Sequence, residues 1–494
     1  MMMPSLSGSI PSSLSYGVES SSGLPGKRML LQFAPENTST FNESNNIVRI
    51  PVNSTQFLDM KQARLAFDLT ISGTTSEGFL DGGAACVIQR LRVLSVTGLE
   101  LERIESYNLL HSILDQYAST QQDRISDNLT SGAPLQDRYY IDAQATTAVT
   151  NATVTTGAGT SNVSALPIVA NGANIHMYGY GQEQADRFGP NTSFTQLKHY
   201  ELKLKAGWFN PSLGKLLPPN VSFVLELTLA PYASCLTAPS GTMLYSIQNF
   251  FLKIPGVMVM DSGFMERVRM LQQRGSEWNA VTYKLYTGVV STASANNYVQ
   301  ISDRSHSMTA LITILRTQAY INSITRFKLS KRSLQYISQY QATIGSDLYP
   351  PTQIELATST ATGGGTPSQL TPWDPLQTAA SSSVNVSACF SEAKRVFGWD
   401  KGIVDYYSFG NSENGSNNGT GILCIDCKSY HGDKRTTSGI DTASQAVPIT
   451  LRLAVTAAAS SGNGVTPLPI QVDTFAQCDI KFIVMPGGEI RSMA

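Results

Sequence analysis

The stretch Ala84–Tyr117, AACVIQRLRVLSVTGLELERIESYNLLHSILDQY, decides how the rest of the chain is read. Leu91 and Val93 alternate with Arg90 and Arg92, the period-two pattern of a strand with one buried face. Leu94 and Val96 then fall on the opposite parity, which a bulge or burial on both faces would produce. Thr97-Gly98 supplies a turn, and Leu99 and Leu101 alternate with Glu100 and Glu102 in a second short strand. After that the period lengthens to that of a helix. Ile104, Tyr107, Leu110, Ile113, Leu114 and Tyr117 form one apolar stripe, with Glu105, Ser112 and Asp115 off it.

Outward from this hairpin and helix the chain is strand-rich. Before it, IVRIPVN and QARLAFDLTIS place Val48, Ile50 and Val52, then Leu65, Phe67, Leu69 and Ile71, at alternate positions. After it, residues 119–174 turn into a Ser/Thr/Ala/Gly/Asn run that fits a projecting surface loop. VSFVLELTLAPY and SIQNFFLKIPGVMVMD read as further strands, and GFMERVRMLQQRG as a short helix stopped by Gly275. The second half repeats this logic in VTYKLYTGVV, MTALITILRTQAYI, SITRFKLS, VDYYSF, TGILCIDCKSY, ITLRLAVTAA and IQVDTFAQCDIKFIVMP, with long spacers at Ala357–Ser387 and Gly410–Thr420. The fold class that follows is all-β: two tandem eight-stranded jelly rolls with short inserted helices and long surface loops.

Length agrees with two domains, since 494 residues exceed what one hydrophobic core usually supports. The expected organisation is a flexible Ser/Gly/Pro-rich arm at 1–45, a first roll at 46–262, a linker helix at 263–275 and a second roll at 276–494. Charged residues make up 14% of the chain, against roughly 25% in an average globular protein, and the net charge is −1. That balance carries no electrostatic footprint for nucleic acid. No apolar run is long enough to cross a bilayer, and MMMPSLSGSIPSSLSYG lacks the pattern of a secretory signal, so synthesis in a cytosol or nucleus is expected. The six cysteines are too scattered for a disulfide framework, and the frequent N-x-S/T triplets, Asn37 and Asn220 among them, are not read as glycan sites.

Several stretches resemble the double jelly-roll major capsid proteins of the adenovirus and tailless-phage lineage, in particular the eukaryotic branch of polinton-like viruses, virophages and large icosahedral DNA viruses. They are Asn53–Thr70; the opening stretch with Tyr107 and Leu110; Leu202–Leu229 with Ala206, Gly207, Phe209, Asn210 and Leu217-Pro218; and Asn249–Arg269 with Val259-Met260-Asp261. Two more lie in the second half: Ile344-Gly345 with Tyr349-Pro350-Pro351, resembling a loop, and Gln471–Glu489, resembling a last strand. Their order and spacing carry the likeness from about residue 46 onward. The resemblance implies a non-enzymatic shell protein: a homotrimer forming a pseudo-hexameric capsomer that contacts neighbouring capsomers and minor or penton proteins. Such capsomers tile an icosahedral virion shell around double-stranded DNA, assembled in the host cytoplasm or nucleus, with no specific nucleic-acid binding. The host receptor and any internal membrane are left open.

Chemistry-bearing residues fit that reading, with no catalytic, cofactor or metal residues assigned. Cys424-x-x-Cys427 with His431 is the one metal-like cluster. Structural zinc normally takes four ligands and no second pair lies nearby, so two small residues on a strand and its edge are the better reading. His111, His176, His199 and His306 are too dispersed for a catalytic set, and the chain has no G-x-S-x-G, P-loop or H-E-x-x-H motif. Trp208, Trp278, Trp373 and Trp399 read as core or interface anchors rather than a sugar platform. The alternative function is a minor capsid, spike or lectin-like carbohydrate-binding jelly roll. A cupin-type enzyme would need a histidine-rich strand pair that is absent from the sequence.

Overall fold

The computed structural model describes residues 26–493, apart from 75–77, 133–152, 157–158, 163–186, 189–193, 212–215, 239–240, 292–293, 319–320, 325–326, 331, 333, 335–336, 357–386, 403, 405–408, 410–419, 430–438, 444–446, 456–468 and 486–487. Eight strands build a first sandwich: β1 (Gly26–Phe33), β2 (Ile47–Val52), β3 (Arg64–Gly73), β4 (Ile88–Ser95), β5 (Glu100–Ile104), β6 (Phe194–Lys203), β7 (Phe223–Leu229) and β8 (Met243–Val259). Their antiparallel order is β1-β8-β3-β6 in one sheet and β2-β7-β4-β5 in the other. Eight more build a second: β9 (Ser276–Val290), β10 (Asn296–Ile301), β11 (Met308–Thr317), β12 (Ile337–Ile344), β13 (Asp347–Glu355), β14 (Leu423–Asp426), β15 (Ile449–Val455) and β16 (Ile470–Val484). Here the order is β9-β16-β11-β14 and β10-β15-β12-β13. Strand for strand the two orders are the same, so the chain is two jelly rolls in tandem.

Alternation sets the registers. Strand β7, FVLELTL, buries every second residue, and so does β15, ITLRLAV. Leu225 sits between Ile50 of β2 and Val93 of β4, all fully buried, so a one-residue slip would turn the apolar set of β7 to water. Between the rolls, Asp261 caps the connecting helix α3 (Ser262–Arg274) by accepting from the backbone N–H of Gly263 and Phe264. Gly275, at φ +84°, ends that helix.

Four sequence expectations change. The arm expected at 1–45 is strand in part: Gly26–Phe33 pairs residue by residue with Val259–Leu252 of β8, because Leu31 and Phe33 have a sheet edge to pack on. Residues 1–25 lie outside the described residues. The surface loop expected at 119–174 begins as a helix instead, α2 (Gln121–Ser131). Thr120 and Asp123 cap it reciprocally, the Thr120 hydroxyl accepting from Asp123 N–H at 3.1 Å and the Asp123 carboxylate accepting from Thr120 N–H at 3.3 Å. The described residues of SITRFKLS, all but 325–326, form a connection rather than a strand, and Tyr349-Pro350-Pro351 lies within β13, with only Gly345 and Ser346 in the turn before it. The helix α4 (Ser387–Phe397) follows the spacer expected at 357–387, whose residues 357–386 lie outside the described residues.

The hairpin β4–β5 carries a register shift. Val93 pairs with Glu102 and Leu94 with Glu100, leaving Leu101 as the extra residue of a bulge. Leu101 and Glu102 are therefore both buried, while Val96 of the turn is 67% exposed. The helix α1 (Tyr107–Tyr117) buries ten of its eleven residues rather than a single stripe. Its C-terminal end meets the second roll, where Gln116 donates to the Ser330 carbonyl and the Tyr117 hydroxyl to the Thr420 carbonyl. Leu110 is fully buried. Leu110→Asp would place a carboxylate where nothing solvates it, at a cost of about 4 kcal/mol or more. Circular dichroism and gel filtration should find little soluble folded protein, and a soluble variant with an unchanged melting temperature would contradict the packing of α1.

Candidate functional site

The built feature of this chain is the seam where the rolls meet. Glu102, turned inward by the bulge in β5, is 3% exposed. Its carboxylate accepts from the backbone N–H of Gly207 and of Trp208 and from the Thr282 hydroxyl of β9, each at 2.8 Å. One first-roll side chain thus holds the β6–β7 connection and the first strand of the second roll together. Burial pushes the Glu102 carboxyl up, against the opposing pull of these three donors. Gly207 has to be glycine here, because a Cβ would stand 2.8 Å from the Val281 carbonyl oxygen of the second roll. Beside it Trp208, fully buried, meets Trp278 at 5.3 Å and Phe482 at 5.0 Å between ring centroids, both from the second roll.

A second latch starts from Asp81. One carboxylate oxygen accepts from Lys328 N–H (2.6 Å) and Leu329 N–H (2.8 Å), the other from Ser330 N–H (2.9 Å) and the Ser330 hydroxyl (2.6 Å). Three successive amides of the β11–β12 connection are thereby held by a side chain of the first roll. Lys328 returns the contact, its ammonium donating to the Leu236 carbonyl at 2.9 Å, and burial pulls its pKa down. The end of α1 completes the seam. Gln116 donates to the Ser330 carbonyl at 3.0 Å and accepts from Arg332, and the Tyr117 hydroxyl donates to the Thr420 carbonyl at 2.7 Å.

The chemistry-bearing residues read from the sequence are scattered by the fold. Cys424 and Cys427 are buried on and just after β14, and burial pushes both thiols well up, which disfavours the thiolate a metal needs. His431, His176 and Trp373 lie outside the described residues. His111 packs edge-on to Tyr107 and contacts the Lys203 carbonyl, while His199 pairs with Asp68 at 2.6 Å and His306 with Asp441 at 3.7 Å, both at the surface. Among the described residues no three His, Cys, Asp or Glu side chains converge as a metal would require. Trp208 and Trp278 are seam anchors and Trp399 is exposed. The sequence reading missed Asp81 and Glu102. Ala206-Gly207-x-Phe209-Asn210 was singled out without its reason, which is that Gly207 is pressed between Glu102 and Val281.

Two sandwiches that repeat one order of eight main strands, joined side by side, define a double jelly-roll protein. The fold matches the PBCV-1 virus capsid, at 9% identity with 95% of this chain and 97% of that chain covered and a TM-score of 0.56. It also matches the Faustovirus major capsid protein (9%, 95% and 92%, 0.55) and the mavirus major capsid protein (10%, 100% and 95%, 0.55). No family model and no curated protein sequence matches the chain.

Glu102→Ala leaves three buried donors without an acceptor, an expected loss of about 3 kcal/mol, or roughly 3 °C in melting temperature if the chain unfolds as one block. The wild-type carboxyl titrates above its unfolded-state value of about 4.3. The stability tied to it is therefore complete below that value and is lost as pH rises through the folded-state pKa. Calorimetry across that window should show the advantage of wild type over Glu102→Gln shrinking as pH rises, and a pH-independent difference would contradict the burial of this carboxyl.

Proposed function

We propose that this chain is the major capsid protein of an icosahedral DNA virus. Three copies stand six rolls around one axis, giving a pseudo-hexagonal capsomer, and capsomers tile a shell around double-stranded DNA. The observation that carries this reading is the duplication of one strand order within one chain. Two like blocks per chain convert three-fold symmetry into six-fold packing, so one gene product can tile hexagonally. The likeness to structures described as major capsid proteins supports it. So do the large apolar side chains exposed on both rolls, among them Leu197 and Leu244 on the first and Tyr298 and Leu348 on the second, which an assembly would cover.

In this reading the segment ahead of β1, residues 1–25, contacts neighbouring capsomers or minor proteins. The alternative, a small lectin-like or spike module, predicts a monomer that binds glycans.

Light scattering on the purified full-length chain should give three chain masses, and a monomer that binds a glycan array would overturn the shell reading. Deleting residues 1–45 removes β1 and should lower the melting temperature. Deleting only 1–25 should leave it unchanged and weaken assembly of capsomers into shells, as counted in electron micrographs.

A further inference from the structure

On the β1-β8-β3-β6 sheet of the first roll, three cations stand in one cross-strand row. Lys253 of β8 pairs in register with Arg64 of β3, and Arg64 with Lys203 of β6. Like charges directly opposite one another weaken a sheet. Two carboxylates offset part of this: Glu201 meets Lys253 at 3.1 Å and Asp127 of α2 meets Arg64 at 3.3 Å. Lys203 and Lys61 are both exposed, and neither has a carboxylate within ion-pair distance among the described residues. Lys61 comes from the turn Met60–Gln62 just before β3. These four cations and Glu201 line a cleft of ≈ 270 Å³ whose apolar walls are Leu30 and Pro255. Lys27 and Arg28 extend the positive charge along β1, with Arg28 donating to Gln62 at 2.5 Å.

We infer that this cleft binds phosphate groups of a nucleic-acid backbone, without reading its sequence. The row spans three neighbouring strands, about 10 Å, which matches roughly three phosphates along one strand of duplex DNA. Phosphates stand out singly from their backbone and can enter a recess whose walls are cationic. The cleft lies where β3 starts and β6 ends, opposite the end at which the long 105–193 connection returns to the sheet at Phe194. This step rests on the shell reading, in which long connections project outward and the opposite end faces the enclosed genome. Repulsion within the row, offset in part by Glu201 and Asp127, is then relieved further when phosphate neutralises it, and the chain's overall charge of −1 conceals this local excess of cations.

The test uses the full-length purified protein, a short fluorescent DNA duplex and a salt series. Lys61→Ala combined with Lys203→Ala should weaken binding about tenfold at moderate salt and make the slope of log affinity against log salt shallower by about two. A control removing two cations elsewhere, Arg269→Ala with Lys481→Ala, should leave the slope nearly unchanged. Equal losses in both double variants would mean a diffuse charge effect and overturn the site, as would wild-type binding in the cleft variant. Vesicles rich in anionic lipid form a second arm: loss of vesicle binding with DNA binding retained would make the partner a membrane and overturn the inference. Trimer formation is measured separately on the same preparations. A wild-type monomer that still binds DNA through the cleft would therefore defeat the shell reading while leaving the phosphate site standing.

Discussion

Two buried carboxylates, Glu102 and Asp81, fix how one half of this chain sits on the other. Each comes from an irregular place in the first roll, Glu102 from a bulged edge strand and Asp81 from the connection before β4. Each collects donors that would otherwise be buried without partners. A buried amide left unpaired costs roughly 1–3 kcal/mol, so sliding one roll against the other would break several such bonds at once. The Trp208, Trp278 and Phe482 cluster adds apolar area at the same place, but it is less directional. The carboxylates set the geometry and the aromatic rings supply the cohesion.

That division explains what could be read in the sequence. Strands that bury one face announce themselves by alternation, and β2, β3, β7, β8, β15 and β16 were legible for that reason. Strand β1 was hidden because GKRMLLQF follows a Ser/Gly/Pro-rich stretch and is an edge strand, with much of its surface left to solvent. In the second roll ISQYQATI and DLYPPTQIE were passed over because their buried faces carry Gln341 and Tyr340 or lie half open, so their polarity does not alternate cleanly. Glu102 was misplaced by one feature: the bulge at Leu101 reverses the parity on which the alternation was counted. The Thr120–Asp123 capping pair was visible in STQQD, yet the polar run beyond it dominated the reading.

The residues that join the two rolls or gather charge on the sheet carry the weakest local signal. Gly207 matters only because a strand of the other roll passes against it. The cations Lys253, Arg64 and Lys203 are far apart in sequence and become a row only through strand register. An overall charge near zero therefore describes this surface poorly, since the fold gathers like charges at one end of a sheet. Such gathering weakens the isolated chain and is consistent with a surface that is completed by something else.

If the seam makes the two jelly rolls one rigid block, three copies of the chain assemble around one axis. Cryo-electron microscopy of the purified full-length protein tests it most directly. The account predicts particles with three-fold symmetry and six upright rolls, every pair of rolls within a chain held at the same spacing. Isolated chains, or particles in which the two rolls of one chain adopt variable orientations, would contradict it.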